Sequence, residues 1–494
     1  MRKSFEPQLT LGCTPIEEVE IPAKTKSHLA ALAAALKYIY VHPEWNEKIF
    51  ALLSSKLVRG TNKMGRTGMS LWEIFVLAQV RLCMNISYDE LHHIANYDTM
   101  VRGIMGVLPT DYTLGVQYQY QNIYDNVTLL DDELLKQIND VIVAVGHEVF
   151  KKKGKPAEGV SASPCATMRC KVDSFVVESD THFPTDYNLL WDSARKCIDT
   201  AEWLVREGCI TGWRKSRHWH KSLKGLMRGV GRVTSGGGAN KEERVEQAVN
   251  AYLTKARALS SKIHAILMTN PGSTPAQMVK VVELTYYLKM LDKHIDLLDR
   301  RLLQGEVIPH EEKIFSIFQP YVEFIKKGKL HPNVEIGKKL AITTDEFNLI
   351  IDYQIAQNQA DSELIIPIAQ RLHQKGYRMQ SLSTDKGFAS KEAKEKLESF
   401  IQQVIMPKKG KRNQKEKELE SSKPFKRLKN KHSAIESNIN ELEHRGLDRV
   451  PNRTERTFNH YIALAITAYN LHKIGRKLQA DQMAEEQARQ KQAA

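Results

Sequence analysis

A strand-forming stretch with a carboxylate at its centre constrains the fold more than any other part of this sequence. Residues 168–179 are rich in strand formers and lie between two long helical regions. Alternation along the strand places Asp173 on one face with Phe175 and Val177. Ionised carboxylates are rarely found among bulky apolar side chains unless they are paired or bound to a metal. A solvated strand-end Asp is the alternative, and it stays open at this point.

The composition is that of a soluble globular protein with an excess of positive charge. The chain has 494 residues, 42% of them hydrophobic and 26% charged, with a formal net charge of +14. This length allows about two to four domains. The positive charge favours a polyanionic partner, nucleic acid first and an anionic membrane surface second. A basic protein that binds neither is the alternative.

Cysteine spacing and hydropathy predict a cytoplasmic protein that does not enter membranes. The six cysteines form no CxxC pair, which indicates free thiols in a reducing compartment. Cys165, Cys170 and His182 match no zinc-binding spacing. The N-terminus lacks the apolar core of a signal peptide, and no run of about 20 apolar residues occurs elsewhere.

The first 150 residues read as an N-terminal helical domain. A basic, glycine-spaced loop containing Arg66 precedes a helix capped by Ser70, and a short polar turn leads to a second helix at residues 88–95. This is the pattern of a helix-turn-helix, so we predict DNA binding here with Arg66 as a contact. A plain helical bundle offers the same turn and is the alternative.

A helical insertion, residues 189–335, is predicted to follow the first strand. Its helices at residues 245–268 and 277–302 are expected to form an antiparallel pair. Before them lies a basic, glycine-rich segment that we interpret as a loop for phosphate contact and base stacking. Its candidate DNA-binding residues are Arg214, Lys215, Arg217 and Trp219. A flexible connector with solvated charges is the alternative.

Strands and helices alternate in the following part of the chain. Strands are predicted at residues 337–344, 349–355 and 379–383, with a short apolar run at 404–406. Helices are predicted at residues 362–375, 391–400 and 457–478. The order indicates an α/β domain with a mixed sheet, in which the first and fourth strands can lie side by side. Residues 408–431 are expected to be a flexible basic segment, and residues 479–494 a flexible tail.

A late stretch, residues 431–449, places a glutamate among cations. Ile435, Ile439 and Leu442 recur at helical spacing, and Glu436 lies beside that apolar stripe. Ser433 and Glu436 also have the spacing of a capping box, in which the glutamate only bonds the backbone at the helix start. The position alone leaves both interpretations open.

Three carboxylates thus occupy comparable places, namely Asp173, Asp385 just beyond the fourth strand, and Glu436. Three close carboxylates repel one another and need divalent cations to stay ionised together. Two Mg²⁺ ions about 3.5–4 Å apart activate an attacking oxygen and stabilise a leaving one at phosphorus. The strand order therefore predicts a two-metal site for phosphodiester chemistry.

Three segments of the chain carry a family resemblance: VDSFVVESDTHFPTD at residues 172–186, STDKGF at residues 383–388, and HSAIE at residues 432–436 with HRGLDR at residues 444–449. By these segments the chain resembles a DDE transposase of a bacterial insertion sequence, closest to the ISNCY type, with an RNase H-like catalytic domain. Asp180 and Asp186 compete with Asp173, which is preferred for its position within the strand. Related families often place Tyr and Arg before the glutamate, where this chain has Lys429, Lys431 and His432.

The resemblance implies an enzyme that binds the terminal inverted repeats of its own element. It would cut DNA by two-metal hydrolysis with Mg²⁺, for which Mn²⁺ could substitute, and join the 3′-hydroxyl ends to target DNA. Asp173, Asp385 and Glu436 would be the catalytic and metal-binding triad. Basic residues beside the triad would contact DNA: Lys386, Lys431, His432, Arg445 and Arg449.

The implied fold is α/β plus all-α. The RNase H-like sheet would be built from residues 165–188 and 336–478, with the helical insertion between them. The partners would be double-stranded DNA and, on DNA, at least a second copy of the chain, and the protein would be nucleoid-associated. A catalytically silent DNA-binding derivative and an RNase H-like nuclease without strand transfer are the alternatives.

Overall fold

The computed structural model describes residues 12–58, 68–108, 117–151, 167–269, 271–326 and 333–493. Contacts divide the chain into two compact units. The first unit comprises Met1–Asp180 and Gly337–Ala494, and the second comprises Thr181–Ile336. None of the helices in the described ranges is both long and apolar enough to cross a membrane.

In the described ranges, seven α-helices precede the first strand. Their bounds are α1 His28–Val41, α2 Pro43–Leu57, α3 Leu71–Cys83, α4 Tyr88–Tyr97, α5 Thr99–Met105, α6 Tyr120–Val127 and α7 Asp132–Lys151. The Ser70 hydroxyl caps α3 by accepting a hydrogen bond from the Glu73 backbone N–H, as the sequence predicts. Ser87 and Glu90 form a capping box at the start of α4. Every residue of α3 is buried except Glu73, so this helix is a core element of the first unit.

The sheet of the first unit is mixed and is centred on strand β1 (Thr167–Ser179). Strand β3 (Val334–Thr344) pairs antiparallel with β1 and with β4 (Ile350–Ile355). On the other side, β5 (Arg378–Thr384) pairs parallel with β1 and with β6 (Gln403–Ile405). The short strand β7 (Arg449–Val450) runs parallel to the end of β1. The predicted adjacency of the first and fourth strands is therefore confirmed as the β1–β5 pair.

Helices follow the later strands as the sequence predicts. Their bounds are α12 Asp361–Gln374, α13 Lys391–Glu398, α14 Gln414–Ser421, α15 Lys423–His432, α16 Ala434–Leu442 and α17 Glu455–Ala493. One face of β1 packs its side chains at Met168, Cys170 and Val172 into a core shared with α12 and α13. Helix α16 contacts β1, and α15 contacts β5.

Two expectations for the C-terminal part are corrected by the structure. The segment expected to be flexible, residues 408–431, forms helices α14 and α15, and part of its positive charge is paired through Lys408 with Glu416 and Arg412 with Glu420. The predicted fraying tail continues as helix to Ala493. Helix α17 packs closely against α1 and α7. At Gly475 a Cβ would lie only 1.7 Å from the Ala31 carbonyl oxygen, so a side chain there would force α1 and α17 apart.

The described residues of the second unit form mainly four long helices, with one short strand among them. Their bounds are α8 Asp186–Arg206, α9 Ser216–Ser235, α10 Lys241–Leu267, α11 Pro275–Leu302 and β2 Glu323–Lys326. The helices pack around a core whose side chains include Leu190, Tyr252 and Leu291. The predicted helix pair corresponds to α10 and α11, which contact one another. The basic segment interpreted as a loop is helix α9 instead, because Leu223, Leu226, Met227 and Val230 recur at helical spacing against that core.

Candidate active site

The register of β1 and β5 brings two of the predicted carboxylates to one place. The last paired residues along these parallel strands are Val172 with Thr384, and the next residue on each strand is Asp173 and Asp385. Side chains at equivalent positions of adjacent parallel strands lie on the same face of the sheet. Asp385 follows β5 directly and precedes the short 3₁₀ helix Lys386–Phe388, to which its side chain makes no capping hydrogen bond. Asp173 and Asp385 are therefore neighbours at the edge where these strands end.

Helix α16 lies on the face of the sheet to which both aspartates point. Two residues before them on the same face, Lys171 and Ser383 line a cavity of about 360 Å³ together with Lys431, Ser433 and Ala434 at the start of α16. Glu436 is in the first turn of this helix and its side chain is exposed. The third carboxylate is thereby positioned opposite the strand pair.

The capping alternative for Glu436 is not what the structure shows. Ser433 has helical backbone angles and makes no side-chain cap, because its hydroxyl donates to the Asn430 carbonyl oxygen at 2.8 Å. Within the described residues, the Glu436 carboxylate has no hydrogen bond to the Ser433 backbone. The expectation that Ser433 caps this helix is wrong, since α15 leads into α16 without an intervening extended residue. Glu436 is thus left with a solvent-facing carboxylate beside the two aspartates.

The carboxyl group of Asp173 has a raised pKa. Burial, together with the nearby charges of Asp385, Glu436 and Asp361, raises the pKa of Asp173 to about 6. A hydrogen bond from the Ser174 backbone N–H to Oδ1, at 2.8 Å, opposes this rise in pKa. Like charges gathered at a half-buried carboxylate repel each other unless a cation compensates them.

A fourth carboxylate, Asp361, belongs to this cluster and was missed by the sequence analysis. Its Oδ1 accepts a hydrogen bond from the Ser174 hydroxyl at 2.9 Å and lies 3.0 Å from the Lys339 ammonium. Its Oδ2 lies 2.9 Å from the point where Gly387 would carry a Cβ. A side chain at Gly387 would therefore require this carboxylate to shift. The sequence signal was present but looked ordinary, because an acidic residue in the first turn of a helix usually serves the helix dipole.

His432 lies behind Asp385 and is half-buried. Its Nδ1 is 3.2 Å from the Ser383 hydroxyl, and within the described residues its buried Nε2 has no hydrogen-bond partner. Burial lowers the pKa of His432, and the charge of Asp385 opposes this effect. The side chain is therefore placed to act on Asp385 more directly than on a phosphate at the surface.

The predicted DNA contacts fall into different environments. Arg66 lies outside the described residues. Lys386 and Lys431 are exposed close to the carboxylates, and Arg449 is exposed with its guanidinium 4.0 Å from Asp180. Arg214, Lys215 and Arg217 are exposed at the start of α9. These positions are compatible with phosphate contact.

Two of the predicted contacts are corrected. Arg445 is buried, with Nη1 donating to the Cys83 carbonyl oxygen at 2.7 Å and Nη2 donating to Glu441 at 2.9 Å, so it stabilises the first unit and has no exposed face. Trp219 is half-buried and stacks on Trp213, and the Lys255 ammonium lies 4.3 Å from its ring centre. Its ring is therefore occupied by packing and is not free to stack on a base.

The carboxylate oxygens of the site suit a hard cation, but the three carboxylates are not gathered tightly around one point. Carboxylate oxygens are the ligands that Mg²⁺ prefers, and Mg²⁺ usually keeps several waters and takes only one or two carboxylates. Among the described residues no group of three or more His, Cys, Asp or Glu side chains is gathered closely enough to hold one ion. The chemistry of Asp173, Asp385 and Glu436 thus fits Mg²⁺ ions that share these residues and complete their shells with water and phosphate oxygens.

Comparison with known families gives a match over part of the chain. A family model described as the transposase DDE domain matches residues 310–471. The chain therefore carries a transposase DDE domain, and the resemblance to DDE transposases is confirmed, whereas the ISNCY type remains a prediction. The matched residues include Asp385 and Glu436, and Asp173 lies before them. No curated protein and no solved structure matches the chain.

Proposed function

We propose that this protein is an insertion-sequence transposase that cuts DNA at the ends of its element and joins the freed 3′-hydroxyl groups to target DNA. The observation that carries the proposal is the register that sets Asp173 beside Asp385, with Glu436 on the helix that covers the same face. The match to the transposase DDE domain supports the reaction class. Terminal inverted repeats are the expected binding sites, and synapsis of two ends would require at least two copies of the chain.

The residues of the site have separate tasks in this proposal. Asp173, Asp385 and Glu436 would hold two Mg²⁺ ions, which supply Lewis acidity at phosphorus when bound, with Mn²⁺ as a substitute. Asp173 is held by the Ser174 backbone N–H, which fixes one carboxylate oxygen in direction. His432, whose Nδ1 contacts the Ser383 hydroxyl, would support the end of β5 that carries Asp385. Exposed Lys386 and Lys431 would orient the DNA backbone over the carboxylates.

The test is a cleavage and joining assay on DNA taken from the flanks of the gene, where the inverted repeats are expected. Asp173→Ala, Asp385→Ala and Glu436→Ala should each abolish Mg²⁺-dependent cleavage and strand transfer while binding to the same DNA persists. A variant that retains wild-type cleavage would remove that residue from the assignment.

Two further arms separate the remaining candidates. Pre-cut ends and a supercoiled target, incubated with the wild-type protein, yield joined products from a transposase and none from an RNase H-like nuclease. A protein that binds the ends but never cuts in Mg²⁺ or Mn²⁺ would be a catalytically silent DNA-binding derivative. Because binding, cutting and joining are read separately, each candidate predicts a different combination of results.

A further inference from the structure

Helix α9 presents a continuous stripe of positive charge on the surface of the second unit. Arg217, Lys221, Lys224, Arg228 and Arg232 recur every three or four residues, and all five side chains are exposed. At 1.5 Å per residue the stripe is about 22 Å long. The sequence contains no Asp or Glu between Glu207 and Glu242. Within the described part of the chain, none of the five forms an ion pair.

Several basic residues of the same unit are neutralised by carboxylates, in contrast to the row of five cations along α9. Arg300 bonds Asp296, Glu306 and Glu312, and Arg301 pairs with Asp186. Repulsion between unpaired cations at adjacent helix positions costs stability. The five cations of α9 repel one another along the whole stripe. Such a pattern is typical of a surface that binds a negatively charged partner.

Two glycines beside the stripe point to a close approach of that partner. Glycine inside a helix is unfavourable relative to alanine, so an exposed one needs a reason. Gly231 has one, because a Cβ there would lie 3.2 Å from the Tyr187 ring. At Gly225 and Gly229, by contrast, a Cβ would meet nothing within 4 Å. These two positions leave the helix backbone bare next to the cations, where a phosphate backbone could lie against it.

The apolar side of α9 is buried in the core of the second unit, which favours duplex DNA over a membrane surface as the partner. Leu223 and Val230 are fully buried in the core of the second unit, with Leu226 and Met227 packed against it. A helix that binds a membrane surface must insert apolar side chains between the lipids. α9 has none left for insertion. A rigid, polyanionic surface such as duplex DNA requires only the charges and the bare backbone.

We infer that the outer face of α9, formed by Arg217, Lys221, Lys224, Arg228 and Arg232 with Gly225 and Gly229, is a docking surface for the sugar-phosphate backbone of duplex DNA. This inference rests on the proposed function and extends it to a second DNA contact, outside the first unit. It replaces the stacking role expected for Trp219 with contacts to phosphate. Such contacts position DNA without reading its sequence, so this surface should bind unrelated duplexes equally.

The charge arm of the test compares two triple variants of the full-length protein on a 30-base-pair duplex of arbitrary sequence. Lys221→Gln, Lys224→Gln and Arg228→Gln together should weaken binding by about tenfold or more and reduce the slope of log affinity against log salt by about three. Arg206→Gln, Lys241→Gln and Lys289→Gln remove the same charge from exposed sites on other helices of the unit. Equal losses from both triple variants would overturn the inference, because they would show a general charge effect.

The glycine arm keeps the charge constant. Gly225→Gln with Gly229→Gln should weaken duplex binding about tenfold and leave the melting temperature unchanged or higher, since glutamine is the better helix former. Ala251→Gln with Ala258→Gln introduces the same side chain at two exposed positions of α10 and should leave binding unchanged. Unaltered affinity of the glycine variant would exclude a close approach at α9.

Two controls keep this inference separate from the proposed function and from another partner. Binding to the arbitrary duplex is measured without cleavage, so inactive protein can still show the α9 effect, and active protein can lack it. Vesicles containing phosphatidylserine are tested beside the duplex. Binding to vesicles that depends on the α9 cations, without their effect on duplex affinity, would reassign this surface to membranes.

Discussion

The two ends of helix α16 carry glutamates in opposite situations. Glu436, in the first turn, has no ion pair within the described residues and raises the pKa of Asp173 through its charge. Glu441, in the last turn, bonds Arg445 and pairs with Lys473 at 2.8 Å. Burial alone would raise the pKa of Glu441, but hydrogen bonds from His472, Lys473 and Arg445 hold it well below its ordinary range.

This difference in ion pairing indicates that Glu436 has a functional role and that Glu441 has a structural one. A neutralised, hydrogen-bonded carboxylate stabilises the fold and has no capacity left for a ligand. A carboxylate held near two others without a counter-charge is available to a cation. Removing each glutamate should therefore damage a different property of the protein, and this expectation can be tested.

The largest expected effect is on cleavage and concerns Glu436→Gln. This change keeps the shape of the side chain and removes its charge. We expect the rate of Mg²⁺-dependent cleavage to fall by about 10³-fold or more, as for other groups that act as a unit in catalysis, because a ligand of the proposed metal site is lost. The melting temperature should not fall, since Glu436 is exposed and its loss relieves repulsion. Rates and melting curves measured on one preparation decide the matter, and a large drop in melting temperature would contradict the functional assignment.

The next effect is on stability and concerns Glu441→Ala. Arg445 is buried, so removing its partner leaves an uncompensated charge at a cost of about 3–5 kcal/mol in the free energy of unfolding. Urea unfolding measures this loss, with Glu485→Ala on the exposed part of α17 as the neutral control. Adding Arg445→Met should restore much of the stability. Failure of the double variant to recover would show that Lys473 and His472 matter more than Arg445.

The sequence predicted the strands and their order well because the physical signals there are local. Period-two patterns marked β1, β3, β4 and β5. In the structure, Asp345 builds the turn between β3 and β4 by accepting hydrogen bonds from the Phe347 and Leu349 backbone N–H groups. Strand order then placed Asp173 next to Asp385. Helical residues with glycine and abundant charge were predicted poorly. α9 was taken for a loop because its glycines and cations hide the apolar positions that pack it.

The roles of individual side chains around the site depend on contacts between distant segments, and the sequence does not show these. Arg445 follows Glu436 closely in the sequence and was therefore predicted to contact DNA beside the proposed metal site. Only folding reveals that Arg445 reaches Cys83, which is 362 positions away. Asp361, at the start of α12, was overlooked for the same reason, since its partners Ser174 and Lys339 lie on strands β1 and β3. The secondary structure around a site can thus be predicted from local sequence, whereas the contacts of its side chains with distant segments cannot.

The next prediction concerns a buried side chain that stays neutral in the folded protein. His460 on α17 is buried, and burial together with Arg81 and Arg456 lowers its pKa to about 4, against a smaller opposing effect of Asp131. A lowered pKa favours the neutral imidazole in the folded state, so this stability is complete above pH 6.5 and is lost as the pH falls towards 4. The cost at pH 5 is about 2 kcal/mol. Unfolding free energies of wild type and His460→Leu, measured at pH 8 and pH 5, should differ in their pH dependence by this amount. Parallel pH profiles would show that His460 is not the group responsible.

The smallest effect tests whether Asp361 belongs with Glu436 or with Glu441. Its ties to Ser174 and Lys339 are structural, yet its charge acts on Asp173 and its Oδ2 faces Gly387 beside Asp385. We expect Asp361→Ala to slow cleavage by about tenfold, the low end for a group that orients a metal ligand, with DNA binding intact. Gly387→Ala should slow cleavage similarly, because its methyl group would displace a carboxylate that two partners hold in place. If the contact between these two residues is the cause, the double variant will be no slower than Asp361→Ala alone. Additive losses would instead mean that Gly387 acts on the loop after Asp385 independently, and Asp361 would then be grouped with the structural carboxylates.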